Sequence, residues 1–151
     1  MGKQLSDLTV NNQVLLATTP SDIASCFSVI VELRPKCTDK EEFVAQILRQ
    51  QSQGYIFSFI KDEEEVGACM GFRILETLGW GKILYIDDLI TREKSRKKGL
   101  GTLLLDYAIE QGRLEKCSEV HLDTGHHRHD AHRLYLNSGF TLTCHHLALT
   151  L

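Results

Sequence analysis

The sequence predicts an α/β (α+β) fold in which helices cover both faces of a mixed β-sheet. The evidence is an alternation along the chain: short apolar runs bounded by turn residues, and longer segments whose apolar residues have helical spacing. In chain order these segments read β-α-α-β-β-β-α-β-α-β. We expect a flexible N-terminus over residues 1–11 and a single domain over residues 12–151.

The first predicted elements are a strand and a helix. The apolar run Gln13–Thr18 predicts the strand. The helix starts at Thr19–Asp22, where a hydroxyl cap precedes proline at the first helical position and an acid in the first turn. Its apolar face continues to Val31, and Arg34-Pro35 ends it.

A second helix and a hairpin follow. Thr38–Glu41 is a capping box that starts the helix, and Gly54 ends it. Two apolar runs, Tyr55–Lys61 and Val66–Glu76, lie on either side of the acidic turn Asp62–Glu65. This pattern predicts two antiparallel strands.

The C-terminal half alternates between strands and helices. A strand, a helix, a strand, a short helix and a final strand are predicted at residues 82–91, 100–116, 118–124, 130–137 and 140–149.

Composition excludes several classes of protein. Hydrophobic residues make up 42% and charged residues 25%, as in ordinary globular domains. No apolar run approaches the roughly 20 residues that span a bilayer. The net charge of −3 gives no general attraction for nucleic acid, so we expect neither a nucleic-acid nor a membrane partner. The five cysteines form no Cys-x-x-Cys pair, and we expect reduced thiols in a cytoplasmic protein.

The run Arg96-Lys97-Lys98-Gly99-Leu100-Gly101-Thr102 connects the fourth strand to the third helix. Its two glycines allow a tight turn and close approach to a ligand. The unpaired amides and the dipole of a helix N-terminus attract an anion, and the basic side chains add full charges. The spacing differs from the Walker and dinucleotide-binding motifs. The run therefore predicts a site for a pyrophosphate.

A second motif, Ala-x-x-Leu-Tyr-x-x-x-Gly-Phe, occupies Ala131–Phe140. Together with the Arg-x-x-Gly-x-Gly turn it resembles the Gcn5-related N-acetyltransferases (GNAT). The longer block Asp123–Tyr135, with His145-His146 near the end, resembles the aminoalkylphosphonate N-acetyltransferases, which acetylate small primary amines. The resemblance implies a mostly antiparallel sheet of six to seven strands with about four helices, splayed between strands 4 and 5. A homodimer is common in this family.

The resemblance also implies acetyl-coenzyme A as the donor. The pantetheine arm would bond the backbone of β-strand residues 89–91, and the pyrophosphate would lie on the helix N-terminus. The implied cofactor contacts are Leu89, Ile90, Thr91, Arg96, Lys97, Lys98, Gly99, Leu100, Gly101, Thr102, Arg128, Ala131 and Tyr135.

Three residues are the catalytic candidates. Tyr135 matches the family's usual general acid. An alkylamine is protonated at neutral pH, so a base is needed, and Asp88 is favoured over Asp87 because the resembled branch carries an acid at the position of Asp88. Alternation places the two acids on opposite faces of the strand, unless a bulge changes the phase. The alternative is a substrate-facing charge that transfers no proton.

The acceptor-binding candidates are Arg34, Asp88, His126, His127 and Arg128. All seven histidines lie between His121 and His146, which raises the alternative of a metal site. We expect no metal, and histidines that line the acceptor pocket or relay a proton through water.

The predicted function is transfer of the acetyl group of acetyl-coenzyme A to a primary amine of a small molecule, by direct attack in a ternary complex. The alternatives are a peptide or protein N-acetyltransferase and a non-catalytic domain that senses acyl-coenzyme A.

Overall fold

The computed structural model describes residues 13–151, so the expected flexible N-terminus lies outside the described residues. Within them, five strands form one sheet in the order β1-β2-β3-β4-β5. The elements are β1 Val14–Leu16, α1 Pro20–Ser25, α2 Phe27–Leu33, α3 Lys40–Ser52, β2 Ile56–Asp62, β3 Glu65–Thr77, β4 Gly81–Thr91, a 3₁₀-helix Glu93–Ser95, α4 Leu100–Leu114, β5 Glu119–Leu122 and α5 His129–Asn137.

The mixed sheet and the order of the elements as far as α5 are confirmed, but the counts differ from the expected six to seven strands and four helices. The described chain has five strands and five α-helices. The additional helix arises because the first predicted helix is divided at Cys26, whose N–H bonds to the carbonyl of Ile23, three residues back. This tighter bond ends α1 before α2 begins.

The helix starts were predicted with one error. Thr19 caps α1 in a complete capping box with Asp22, as expected. The cap of α3 is Asp39 rather than Thr38: its carboxylate accepts the N–H of Glu42 at 2.9 Å. A carboxylate at the N-cap also interacts with the helix dipole, which favours Asp39 over its neighbour.

The predicted final strand, 140–149, is wrong. Residues 140–151 have no helix or strand, and Leu142, Leu147, Leu149 and Leu151 are largely exposed. An apolar alternation indicates a strand only when a neighbouring strand accepts its backbone hydrogen bonds. No described strand pairs with this segment.

The register of the hairpins places helices on both faces of the sheet. β1 to β4 pair as consecutive antiparallel neighbours. Phe57 and Phe59 lie on one face, in the core that also contains buried residues of α1, α2 and α3. Phe72 lies on the opposite face, where the centre of its ring is 6.4 Å from the centre of the Tyr107 ring of α4. The main core therefore lies between the sheet and α1–α3.

A β-bulge interrupts the pairing of β3 with β4. Gly71 pairs with Asp88, whereas the next residue, Phe72, pairs with Ile86, so Asp87 is the extra residue. The bulge changes the phase of the alternation. Asp88 is thereby turned to the face covered by α2 and α3.

The chain divides into two compact units, a larger one that ends at His121 and a smaller one over Leu122–Leu151. In residues 13–151 no helix combines the length and the apolar composition needed to cross a bilayer.

Candidate active site

The turn before α4 has the backbone conformation expected of an anion-binding site. Gly99 is the N-cap of α4 in the left-handed region, with φ +80°, and Lys97 also has a positive φ of 64°. No side chain caps α4, so the first amides of the helix are open. A Cβ at Gly99 would contact nothing within 4 Å, so the left-handed conformation, rather than lack of space, favours glycine here.

Contacts with the β2–β3 hairpin hold this turn in place. The Asp62 carboxylate accepts bonds from Lys98 Nζ at 2.7 Å and from Ser95 Oγ at 2.6 Å. The bond from Lys98 is the main reason that the pKa of Asp62 is lowered. A Cβ on Gly67 would lie 2.7 Å from the Asp62 Cβ and 2.9 Å from Leu100 Cδ1, so glycine lets the turn pack against β3.

The basic residues of this region differ in their partners. Arg92 and Lys94 both pair with Glu65, and Lys98 pairs with Asp62. Arg96 and Lys97 form no ion pair with a carboxylate in the described part of the chain, and Arg96 Nε reaches only the carbonyl of Thr91 at 3.5 Å. Arg96 and Lys97 are therefore the cations that this turn can offer to an external anion.

β5 lies beside only part of the neighbouring strand β4. The N–H of Ser118, just before β5, bonds to the carbonyl of Lys82 near the start of β4. A strand that returns through a helix runs parallel to its neighbour. Because β5 has four residues and β4 has eleven, β5 ends well before the stretch Leu89–Thr91. The predicted pantetheine contacts thus lie beyond the end of β5.

A cavity of about 450 Å³ lies beside the bulge of β4. Residues of α2, α3, the start of β2 and β4 line it: Ile30, Arg34, Cys37, Phe43, Gln46, Ile47, Gln50, Tyr55, Tyr85, Asp87 and Asp88. Three predicted site residues, Arg34, Asp87 and Asp88, therefore share one cavity. Its volume is in the lower part of the range typical of small-molecule sites.

The Asp88 carboxylate is held by three donor bonds from two residues. Arg34 donates from Nε at 3.0 Å and from a terminal nitrogen at 2.7 Å, and the Tyr55 hydroxyl donates at 2.8 Å. Burial, followed by the charge of Asp88, raises the pKa of Tyr55 well above its usual value, so this hydroxyl stays protonated. Asp88 is consequently fixed in position, with most of its acceptor capacity in use.

Asp87 has a different environment. Arg73 binds its carboxylate through Nε and through a terminal nitrogen at 2.7 Å. Burial nevertheless raises the pKa of Asp87, and Arg73 offsets this only in part. A carboxylate with a raised pKa beside a cavity is suited to exchange a proton at a pH nearer neutrality than an exposed aspartate.

Gly71 allows Tyr55 to reach Asp88. A Cβ on Gly71 would lie 1.6 Å from the Tyr55 hydroxyl oxygen, a distance that no side chain can occupy. The Arg73 guanidinium lies 5.4 Å from the centre of the Tyr55 ring, within the range of cation–π contacts. The backbone of β3 therefore supplies the space for the whole network.

Sequence reasoning missed several lining or supporting residues of this cavity. They are Tyr55, Arg73, Tyr85, Gln46 and Gln50. Arg73 had a detectable signal, because an arginine within an otherwise apolar strand requires a buried partner. The others gave no local signal, since tyrosine at the start of a strand and glutamine on a helix are common.

In the smaller unit, Tyr135 on α5 is buried, and the centre of its ring lies 5.9 Å from the centre of the Phe140 ring. Burial raises the pKa of its hydroxyl, while the charge of Arg128 lowers it by a smaller amount. The hydroxyl is therefore protonated at neutral pH, as a proton donor must be. Ala131 lies on the same helix, four residues earlier.

Two histidines of the smaller unit are neighbours: the ring centres of His129 and His132 lie 6.4 Å apart. His132 Nε2 lies 2.8 Å from the carbonyl of Gly125, so that nitrogen carries the proton, and His126 and His127 are exposed. Across residues 13–151 no group of three His, Cys, Asp or Glu side chains is arranged to hold a metal ion. The Thr124 hydroxyl is buried and has no hydrogen-bond partner within the described residues.

Comparison with known proteins identifies the family of this chain. The family model described as the Acetyltransferase (GNAT) family matches residues 21–140. A Bacillus subtilis (strain 168) protein named "Uncharacterized N-acetyltransferase YhdJ" is 31% identical over 127 residues, which cover 83% of this chain and 89% of that protein.

Two solved structures are similar in fold. A transcriptional regulator from Bacillus halodurans C-125 has a TM-score of 0.82 at 20% identity, covering 93% of this chain and 99% of the other. A ribosomal-protein-alanine N-acetyltransferase from Brucella melitensis biovar Abortus 2308 has a TM-score of 0.79 at 13% identity. The match covers 92% of this chain and 99% of the other. At these identities the likeness shows the fold alone. The family model and the B. subtilis relative go further: the chain belongs to the acetyltransferase (GNAT) family and is an N-acetyltransferase of that family.

Proposed function

We propose that this protein transfers the acetyl group of acetyl-coenzyme A to a primary amine of a small molecule, with both bound at once. The observation that carries the proposal is the position of the acid-lined cavity. Asp87 and Asp88 line it, and the next residues of the same strand, Leu89–Thr91, lie beyond the end of β5. An amine bound at these acids would be next to the strand that the family uses for the donor.

The turn before α4 fits the pyrophosphate of coenzyme A, which members of this family use. Its open helix amides and the unpaired cations of Arg96 and Lys97 are suited to a doubly charged group. When bound, acetyl-coenzyme A would supply an acetyl thioester as the electrophile.

We assign the proton-accepting role to Asp87 and the positioning role to Asp88. An amine reacts only in its neutral form, so a base must take a proton from the bound ammonium. Asp87 has a raised pKa, whereas Asp88 is engaged by Arg34 and Tyr55. Asp88, which the sequence favoured as the base, would instead hold Arg34 and attract the ammonium.

Two further roles complete the proposal. A backbone amide at Leu89 would bond the carbonyl oxygen that gains charge during transfer. Tyr135, whose buried hydroxyl keeps its proton, would protonate the departing sulfur. His126, His127 and Arg128 remain candidates for contacts with the acceptor or donor, and a cytoplasmic location and a homodimer remain predictions.

A thiol-release assay tests the proposal. The purified protein with acetyl-coenzyme A should release free thiol when small primary amines are added, and Tyr135→Phe should lower kcat more than it weakens donor binding. Acetyl-coenzyme A should also raise the melting temperature. Donor binding without thiol release from any amine would favour a sensor domain, and turnover only with peptides would favour peptide N-acetylation.

A further inference from the structure

We propose that the acceptor is a primary alkylamine whose body is apolar and uncharged, rather than one that carries a phosphonate or carboxylate. This inference rests on the proposed function and names its substrate class. Its basis is the way in which the charges and the apolar side chains of the cavity are distributed.

The apolar wall of the cavity is formed mainly by two helices. Ile30 of α2 and Phe43 and Ile47 of α3 are buried members of the core whose side chains also line the cavity, and the Tyr85 ring adds an aromatic surface from β4. Burying an aryl or branched alkyl group against such a wall is favourable because it removes apolar surface from water. A charged group in the same place would lose its hydration without a partner.

The cationic residues at the cavity are already neutralised by its acids. Arg34 binds Asp88 through two nitrogens, and Arg73 binds Asp87 through two nitrogens. The four formal charges sum to zero. A phosphonate or carboxylate at this place would face two carboxylates and would have to compete with them for each guanidinium.

An ammonium group, unlike an anion, can bind to these carboxylates. Each carboxylate can accept about four hydrogen bonds, and the contacts within the protein leave capacity on both. The side chains of Asp87 and Asp88 are 22% and 17% exposed, so a ligand can reach them. A cationic nitrogen can therefore add to the network without displacing an arginine.

Neutral polar substituents are compatible with one side of the cavity. Gln46 and Gln50 lie one turn apart on α3. An amide side chain can donate and accept, so a hydroxyl or amide on the acceptor is tolerated there. The class that fits is thus an arylalkylamine or branched alkylamine, with at most uncharged polar substituents.

The first experiment compares matched amines in the thiol-release assay. Phenethylamine and 4-(2-aminoethyl)benzoate share a ring and an amine and differ by one carboxylate, and isoamylamine is compared with 2-aminoethylphosphonate. We expect kcat/KM to be at least about tenfold higher for the uncharged member of each pair, the equivalent of one charge-assisted hydrogen bond. A preference for the carboxylate or the phosphonate would overturn the inference.

The second experiment measures the binding of amines that cannot be acetylated. N,N-dimethylphenethylamine, a tertiary amine that forms no stable amide, is titrated calorimetrically into the protein alongside its ring carboxylate. Tighter binding of the uncharged amine supports the substrate class even if no amine is turned over. Equal or weaker binding contradicts the class, while the proposed function is judged by thiol release alone.

A variant without the Asp88 charge tests whether the paired charges cause the preference. Asp88→Asn would leave Arg34 without its carboxylate, so the preference for the uncharged member of each pair should shrink by about tenfold or reverse. Glu115→Gln is the matched control, because Glu115 forms an exposed pair with Lys82 and does not line the cavity. An unchanged preference in Asp88→Asn, with folding verified by circular dichroism, would contradict the role of the paired charges.

Discussion

The turn before α4 and the cavity beside β4 both have arginines, but these arginines differ in whether they are paired with carboxylates. In the turn, the helix amides are open and Arg96 and Lys97 have no carboxylate partner among the described residues. In the cavity, Arg34 and Arg73 each bind an aspartate. The turn is therefore arranged to receive an anion, whereas the cavity is neutral overall and offers carboxylates to a cation.

The two regions also use glycine for different reasons. Gly99 adopts φ +80° with open space around it, whereas Gly71 lies against the Tyr55 hydroxyl with no space for a Cβ. One glycine supplies a backbone conformation and the other supplies room. The difference predicts that substitutions in the two regions have distinct consequences.

The largest effect is expected for Asp87→Asn. Loss of the proton acceptor should lower kcat by about 100- to 10,000-fold, while acetyl-coenzyme A affinity stays unchanged. Steady-state kinetics and calorimetry measure the two quantities. Activity within about threefold of wild type would remove Asp87 from the mechanism, and a larger loss in Asp88→Asn than in Asp87→Asn would return the base to Asp88.

The pH dependence checks the same residue. Because the pKa of Asp87 is raised by burial, kcat/KM should increase with pH as this carboxylate loses its proton. The effect of Asp87 on the stability of the fold has the opposite pH dependence. Because its pKa is higher in the folded than in the unfolded protein, Asp87 stabilises the fold at pH values below its unfolded pKa, and this stabilisation is lost as the pH rises through its folded pKa. The part of the rise in kcat/KM that is due to Asp87 should be absent in Asp87→Asn, whereas the rise at alkaline pH, where the free amine loses its own proton, should remain.

The next effect concerns the two glycines. Gly71→Ala should lower the free energy of unfolding by about 1–3 kcal/mol, because the Cβ displaces Tyr55 from Asp88. Gly99→Ala should lower it by about 1–2 kcal/mol through backbone strain alone. Urea denaturation measures both, and Gly71→Ala should in addition raise the KM for the amine. Equal amine KM values for the two variants would contradict the role of Tyr55.

A smaller effect is expected for Arg96→Gln. Exposed ion pairs contribute roughly 0.2–1 kcal/mol, so the Kd for acetyl-coenzyme A should rise about two- to fivefold and the difference should fade at about 1 M salt. Lys94→Gln is the control, because Lys94 already pairs with Glu65. Equal weakening in the two variants would show that general charge, rather than an open cation, attracts the donor.

The smallest effect is expected for Asp62→Asn, which removes the partner of Lys98. The pKa of Asp62 is lowered, so its contribution to stability is present above the unfolded pKa of about 4 and is lost as pH falls through the folded value. The difference in Tm between wild type and variant should therefore be present near neutral pH and disappear in acid. A difference that persists at low pH would mean that packing, not the ion pair with Lys98, is the cause.

The turn could be predicted from the sequence and the cavity only in part. The turn is one contiguous run, and its helix start, glycines and basic residues all act within a few positions of one another. The cavity combines α2, α3, β2 and β4, so Tyr55 and Tyr85 gave no signal until the strands were paired. The two aspartates were identified, but the bulge that turns both toward the cavity depends on the register with β3.

The C-terminal segment shows the same limit. A strand was predicted over residues 140–149, but Leu147 and Leu149 in this segment are 90% and 85% exposed. Periodicity describes which residues could share a face, but a strand exists only where a neighbouring backbone pairs with it. The division of the first helix at Cys26 and the shift of the α3 cap to Asp39 were similarly beyond the local pattern.

By itself the sequence determined the order of the elements as far as α5, the start of α1, the glycine-containing turn before α4 and the family, because each depends on residues close together in the chain. The tertiary structure decided which charges are paired, which face Asp88 occupies and which side chains line the cavity. These properties depend on strand register and on contacts between residues far apart in sequence, such as Arg34 with Asp88 and Tyr55 with Gly71. Local propensities do not specify such contacts, since they form only when separate elements pack together.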